Sequence, residues 1–287
     1  MVVAGATGYI GKFVMREFKR RGYWVRVLTR SIQRLEEPGP FTAPAISREE
    51  VDEVFVGEAT KPETLKGLFD GGIEYVYSSL AISRQRDGLR FDEVDYQANR
   101  NLLDACSGTE VRKFVYVSML GHEQIAHLAI TRAHERFVGD LAASGLDYTI
   151  VRPSGFFSDM GAVLQMAKRG RVLLVGHGTN RFNPIHGRDL AVVCVDAATG
   201  DSREVEAGGP DVFTQREVAE LAFDVVGRPA RLTVVPLWLA RGLAGAIGLL
   251  NRQLGDLAEF IVTAGQVDAV APTHGTTTLR SYFEEFA

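Results

Sequence analysis

A chain of 287 residues with 46% hydrophobic side chains can bury a large core, as one big domain or as a domain with a smaller lobe. Its formal net charge of −4 argues against nucleic acid as the main partner. Cys106 and Cys194 lie far apart in apolar, helix-like runs with no CxxC and no Cys/His cluster, which points to a reducing, cytoplasmic setting and speaks against a metal site.

An apolar strand begins at Val2, which leaves no room for a signal peptide; such strands usually start a few residues earlier, so this one reads as clipped. A helix then runs to about Arg21-Gly22, followed by a strand over Trp24–Arg30. The stretch Pro38–Arg48, with its Pro, Ser and Thr, reads as a surface insertion. Strands over Glu53–Gly57 and Ile73–Leu80 bracket a helix over Pro62–Phe69. A long helix from Phe91 to Cys106 precedes a strand over Lys113–Ser118, a helix over Ile130–Ser144 and a strand over Tyr148–Val151. Strands alternating with helices imply right-handed crossovers and a doubly wound parallel sheet.

Beyond Val151 the alternation loosens. Phe156–Arg171 and Asp189–Ala198 read as helices, with Asp189 as a cap, and Val172–Val175 as an extended run. Gly208-Gly209-Pro210 reads as a turn, Thr214–Val226 as a helix opened by a Thr cap, and Arg231–Val235 as a strand. The longest apolar stretch, Leu232–Leu250, is broken by Pro236 and Arg241 and falls short of the roughly 18–20 uninterrupted residues of a membrane span. Its second half, Leu237–Asn251, reads as a helix packed on the core or lining a pocket, with a membrane-surface or oligomer-interface face as the alternative. The division expected is α/β: a doubly wound parallel (Rossmann) domain over residues 1–153, with 181–200 returning to it. A smaller C-terminal substrate lobe takes 154–180 and 201–287.

The most informative residues come first in the chain. Val2–Ala4 run into Gly5-Ala6-Thr7-Gly8-Tyr9-Ile10-Gly11 and then a helix, a strand–turn–helix with Gly-x-x-Gly-x-x-Gly spacing. The glycines allow a sharp turn and close backbone approach, and the helix amides and dipole favour a diphosphate. Where an NAD site usually carries an acid at the end of the second strand, this chain has Arg30 and Ser31, with Arg34 just beyond. A guanidinium can fork onto a 2′-phosphate that a carboxylate would repel. Residues 1–35 hold eight Lys/Arg against the single acid Glu17, although Lys19, Arg20 and Arg21 read as a solvated helix face. The cofactor expected is therefore NADP(H). Further strand ends supply Glu58 and Ala59 to bracket an adenine, Ser79, Leu80 and Ala81 to approach a ribose, and Ser118 and Met119 beyond the fifth strand.

The glycine run, Asp95–Asn99, Phe114–Ser118, Val151-Arg152-Pro153, Asn183–Ala191, Gly208-Gly209-Pro210 and Gly275–Leu279 together resemble the atypical short-chain dehydrogenase/reductases. The likeness is to the NmrA-like branch that includes divinyl chlorophyllide 8-vinyl reductases, and it extends over nearly the whole chain. The resemblance implies bound NADP(H), with Pro153, Ser154 and Phe156 joining the cofactor set and a substrate held under the C-terminal lobe. The wider superfamily uses a Tyr-x-x-x-Lys pair for proton transfer and ribose binding, and here those positions are Ile130 and His134. Ile130 cannot donate a proton, whereas His134 can hold a ribose or act as an acid; the alternative is an ordinary helix-surface histidine.

That departure disfavours carbonyl reduction through a phenol and favours hydride delivery to a conjugated C=C bond, which needs less acid assistance. Catalytic candidates are His134, His122 and Ser118, and substrate candidates are Phe156, Phe157, Asn183 and His186, the last with turn-pinning as its alternative role. The reading is an NADPH-dependent reductase of an apolar conjugated small molecule. Alternatives are a non-catalytic NADP(H)-binding sensor or assembly protein, and an isomerase or cyclase that retains its cofactor. Folds of this kind commonly pair as homodimers.

Overall fold

In the computed structural model, which describes residues 1–38, 43–82 and 88–287, the apolar run at the N-terminus becomes β1 (Val2–Ala4). It is buried on both faces, as a strand of a parallel sheet must be. With β2 (Arg26–Thr29), β3 (Glu53–Val56), β4 (Tyr75–Ser78), β5 (Lys113–Val117) and β6 (Asp147–Pro153) it forms a sheet of order β3-β2-β1-β4-β5-β6. Glu204–Ala207 adds a seventh strand beyond β6. Each registered pair from β3 to β6 is parallel. The strand order reverses between β1 and β4, which opens the crevice where such sheets bind ligands.

The helices on this sheet are α1 (Tyr9–Arg20), the short α2 (Ile32–Glu36), α3 (Asn99–Ala105) and α4 (Ala129–Ala143). Two expectations change here. Pro62–Phe69 yields only a 3₁₀ turn over Pro62–Leu65, because Lys66 leaves helical geometry and Gly67 adopts φ +82°. The long helix from Phe91 begins as a π-helix over Asp92–Ala98 and becomes α-helical only at Asn99. Pro38–Arg48 includes residues 39–42, which lie outside the described residues, and ends at a 3₁₀ turn whose Ser47 and Glu50 form a reciprocal capping box.

The chain divides into two compact units. The first comprises Met1–Ser118, Arg132–Arg152 and Leu190–Val205, and the second Met119–Thr131, Pro153–Asp189 and Glu206–Ala287. The second unit contains α5 (Phe157–Lys168), β7 (Val172–Val175), β8 (Arg181–Phe182), the start of α6 (Gly187–Thr199) and the end of β9 (Glu204–Ala207). After these come β10 (Phe213–Thr214), α7 (Gln215–Val225), β11 (Leu232–Val235), α8 (Leu237–Leu250), α9 (Arg252–Ala264) and α10 (Leu279–Phe286). Its core is built from Phe157, Leu164, Phe223, Leu279, Tyr282 and Phe283 with their neighbours. The Thr214 cap is found as expected, its hydroxyl accepting from the Glu217 amide in a capping box. Asp189 is not a cap: α6 starts two residues earlier, and its Oδ2 accepts from the Thr277 amide. Of the expectation that Leu237–Asn251 packs on the core or lines a pocket, the pocket is found: Arg241, Ala244, Gly245 and Gly248 line a cavity of about 320 Å³ with α9 and His127, while packing on the core is slight. In α8 only Ala240 and Ala244 are buried, and most of the large apolar side chains face outward.

Candidate functional site

Each glycine of the first loop has a steric reason in the first unit. Gly5 adopts φ +84°, and a Cβ there would lie 2.8 Å from Ser79 Oγ. At Gly11 a Cβ would meet the Gly5 carbonyl oxygen at 2.1 Å, so only glycine lets α1 sit this close to the loop. The Gly8 amide donates to the Gly5 carbonyl at 2.9 Å and closes the turn. Gly8 caps α1 without a side-chain hydrogen bond, and no acid occupies the first turn. This backbone fits a dinucleotide diphosphate: the helix start has positive character, and Thr7, Gly8, Tyr9, Ile10 and Gly11 carry no side-chain anion.

The neighbouring strand ends converge because the strands are parallel and adjacent. Arg30 is exposed at the end of β2, and Ser31 caps α2. Much of the basic surplus of the first 35 residues is neutralised by acids the local count excludes: Arg16 pairs with Glu50, Lys19 with Asp52 and Arg26 with Glu53. Arg20 and Arg21 share Glu17. Lys12 is fully buried, its ammonium donating to the carbonyls of Leu35 at 2.7 Å and Glu37 at 2.5 Å, so it ties the first turn of α1 to the end of α2. Nothing in the local pattern singled out Lys12. Beyond β3, Glu58 pairs with Lys61 at 2.7 Å, and Lys61, with help from Thr60 and Arg30, holds its carboxyl below the usual range. The Ala59 carbonyl accepts from Asn101 Nδ2. Beyond β4, the Ser79 amide donates to Ala4 and the Leu80 amide to Ser78 Oγ; Ala81 is exposed.

Two buried polar clusters lie beside β5. His134 is buried rather than on the helix surface, which corrects that alternative. Its Nδ1 is 2.7 Å from the Tyr116 hydroxyl, and its Nε2 is 3.0 Å from Asp95 Oδ1. Asp95 comes from the π-helix, is fully buried, and accepts the Ile82 amide on Oδ2. Burial raises its pKa while the hydrogen bond from His134 opposes the rise. Burial likewise pushes the Tyr116 phenol well above its ordinary value. In the second cluster the Ser118 hydroxyl donates to Glu135 Oε1 at 2.8 Å. Arg152 grips both Glu135 oxygens at 2.7 and 2.9 Å and reaches Glu204 at 2.9 Å. These long-range partners explain why sequence periodicity missed Glu135 and Arg152.

The second unit holds the remaining candidates. Met119 is half-buried, with Thr131 Oγ1 3.7 Å from its sulfur, and His122 opens a 3₁₀ turn just after Gly121, which adopts φ +70°. Pro153 accepts the Leu120 amide. The Ser154 hydroxyl donates to the Asn183 carbonyl at 2.5 Å. Asn183 is fully buried; its amide donates to the Gly209 and Ala271 carbonyls and accepts the Ala271 amide, so its polar atoms organise backbone. Phe156 is half-buried, whereas Phe157 lies in the core against His186 and Tyr282. His186 Nδ1 accepts the Arg188 amide, and burial, chiefly, lowers its pKa to about 4, which leaves it neutral at physiological pH. Asp159 stands in the first turn of α5 with its side chain exposed.

Among the described residues no cluster of three or more His, Cys, Asp or Glu is placed to hold a metal ion. Among them also, no helix is long and apolar enough to cross a membrane. The glycine cradle at the switch point of a parallel sheet defines a Rossmann-type dinucleotide-binding protein. The NAD(P)H-binding family profile matches residues 5–201, and the chain belongs to that family. Among curated relatives, the Oryza sativa divinyl chlorophyllide a 8-vinyl-reductase is 28% identical, covering 99% of this chain and 77% of the relative. The photosystem II assembly factor Ycf39 of Synechocystis is 26% identical over 100% of this chain and 90% of its own. Among solved structures, the Escherichia coli NADPH-dependent quinone oxidoreductase QOR2 superposes with a TM-score of 0.77 at 18% identity, covering 99% of each chain; this likeness is one of fold.

Proposed function

We propose that this protein is an NADPH-dependent reductase acting on a conjugated, apolar small molecule, with an ene-type bond as the hydride acceptor. One observation carries the reading: the first turn admits no side chain at Gly5 or Gly11, and by the family resemblance Ile130 stands at the position of the superfamily's tyrosine. A carbonyl acceptor needs that acid most, because its oxygen takes up the full developing charge, whereas a conjugated carbon skeleton delocalises it. The vinyl-reductase name of the 28% identical relative agrees with this preference.

In this reading the amides from Thr7 to Gly11 hold the diphosphate, with Gly5 shaping the turn. Arg30 and Ser31 take the 2′-phosphate, Glu58 and Ala59 flank the adenine, and Ser79, Leu80 and Ala81 present backbone to a ribose. NADPH, when bound, supplies a hydride. Ser118 and His134 hold shape rather than move protons: Ser118 donates to Glu135, and both His134 nitrogens face Tyr116 and Asp95. Met119, His122, Pro153, Ser154 and Phe156 lie in the second unit, which serves as the substrate lobe. Phe157, Asn183 and His186 support it from within. With an apolar side chain at Ile130, the proton is taken from water.

The test is NADPH oxidation against a panel of conjugated enones and tetrapyrroles. The expected result is NADPH oxidation that depends on the added substrate. Tight NADPH binding without turnover across the panel would favour a second reading, a non-catalytic NADP(H)-binding assembly or sensor protein. That reading draws support from the missing tyrosine–lysine pair and from the Ycf39 relatives.

A further inference from the structure

The α8–α9 hairpin is built inside out for a water-exposed element. Along α8 the buried residues are Ala240 and Ala244, with Gly248 half-buried one turn further on, a stripe of small side chains every fourth position. This stripe meets α9 so closely that a Cβ on Gly255 would lie 2.3 Å from Gly248 Cα. Meanwhile Trp238, Leu239, Leu243, Ile247, Leu249 and Leu250 are exposed. At about 100° per residue these six cover roughly half the circumference of the helix. The other residues on that arc are Gly242 and Ala246, so no polar side chain interrupts it. Small residues packed inward and large apolar residues facing outward is the arrangement of helices whose surroundings are lipid.

The charge pattern agrees. Between Asp224 and Asp256 there is no acid, while Arg228, Arg231, Arg241 and Arg252 supply four positive charges in a chain whose net charge is −4; Asp256 and Glu259 of α9 share a cavity with Arg241, which leaves Arg228, Arg231 and Arg252 to face headgroups. All four arginines are exposed. At the turn, Leu249 and Leu250 are 90% and 92% exposed, and Trp238 is 74% exposed. Asn251 alone joins the two helices, and its side chain accepts the Leu254 amide, so the tip is fixed rather than loose. With 14 residues, α8 is about 21 Å long, short of the roughly 30 Å hydrocarbon core of a bilayer.

We propose that this hairpin docks the protein onto an anionic lipid surface, with Leu249, Leu250 and Trp238 entering the interfacial layer and Arg228, Arg231 and Arg252 facing the headgroups. A second copy of the chain fits less well. A rigid partner helix covers a stripe of about 100°, whereas a fluid apolar phase can cover half a helix and a protruding tip at once.

The experiment uses the full chain with phosphatidylcholine vesicles, with and without phosphatidylglycerol, in a flotation assay. In a Trp24→Phe background, Trp238 fluorescence is followed with acyl-chain-brominated lipid. Expected are co-flotation with the anionic vesicles, weakening in salt, and quenching of Trp238 by the brominated chains. The double variant Leu249→Glu/Leu250→Glu should lose about a hundredfold in vesicle partitioning while NADPH affinity and far-UV circular dichroism stay unchanged. Absence of flotation, or flotation that survives the double variant, overturns the proposal. So does a concentration-dependent dimer that the double variant dissociates while vesicles leave the protein unbound, since a second copy would then cover the face.

Discussion

At the scale of single residues, the turn depends on what glycine lacks, and the proposed preference for NADPH on what Arg30 carries. The Gly5 carbonyl occupies the space a side chain at Gly11 would need, so α1 and the loop are one packed object. Arg30 sits at the end of β2, where a carboxylate would select against a 2′-phosphate. Charge-assisted bonds of this kind contribute about 1.5–3 kcal/mol. Replacing Arg30 by Ala is therefore expected to weaken NADPH binding by roughly ten- to a hundredfold while leaving NADH almost unchanged. Isothermal titration with both cofactors checks this, and equal losses would refute the phosphate role.

At the scale of elements, the π-helix and α4 matter most. The widened turn over Asp92–Ala98 brings the Asp95 carboxyl to the Ile82 amide on one side and to His134 on the other. Asn99 pins the same turn, donating to the carbonyls of Leu80 and Asp95. Truncating His134 to Ala leaves a fully buried carboxyl with a partner missing. The expected cost is about 3 kcal/mol, read as a lowered urea midpoint with an unchanged m-value. NADPH affinity should change little, since the histidine acts through Asp95 and Tyr116. A large selective loss of cofactor binding with intact stability would instead make it a ribose contact.

At the scale of the whole molecule, acid stability follows from a neutral buried imidazole. The His186 pKa falls from about 6.5 to about 4 on folding, through burial first and the Arg188 charge second, with Asp189 opposing. Between those values the unfolded chain binds a proton that the folded chain does not, so stability is lost as pH falls from about 6.5 towards 4. The contribution reaches about 3 kcal/mol. His186→Asn keeps an acceptor for the Arg188 amide and removes the titration. Chemical denaturation from pH 7 to pH 4 should therefore show the wild type losing that much more stability than the variant.

What the sequence by itself determined is the parallel sheet order's starting motif, the diphosphate cradle and the cofactor class. These features are local: Gly5, Gly8 and Gly11 lie within one turn and its helix, so their spacing alone reveals the turn, and Arg30 directly follows the next strand. The Thr214 capping box was legible for the same reason. Tertiary structure alone decided the fate of the isolated polar residues. The burial of His134 and its partners Asp95 and Tyr116, 39 and 18 residues away in the chain, could not be read from its surroundings in sequence. Ser118 and Asn183 were likewise claimed by partners far along the chain, Glu135 with Arg152 and the backbone at Ala271. The direction of the apolar face of α8 was beyond sequence too. Apart from Arg241 the helix is apolar or small on every side and gives little amphipathic signal, and only the close approach of Gly248 to Gly255 determined which side faces outward.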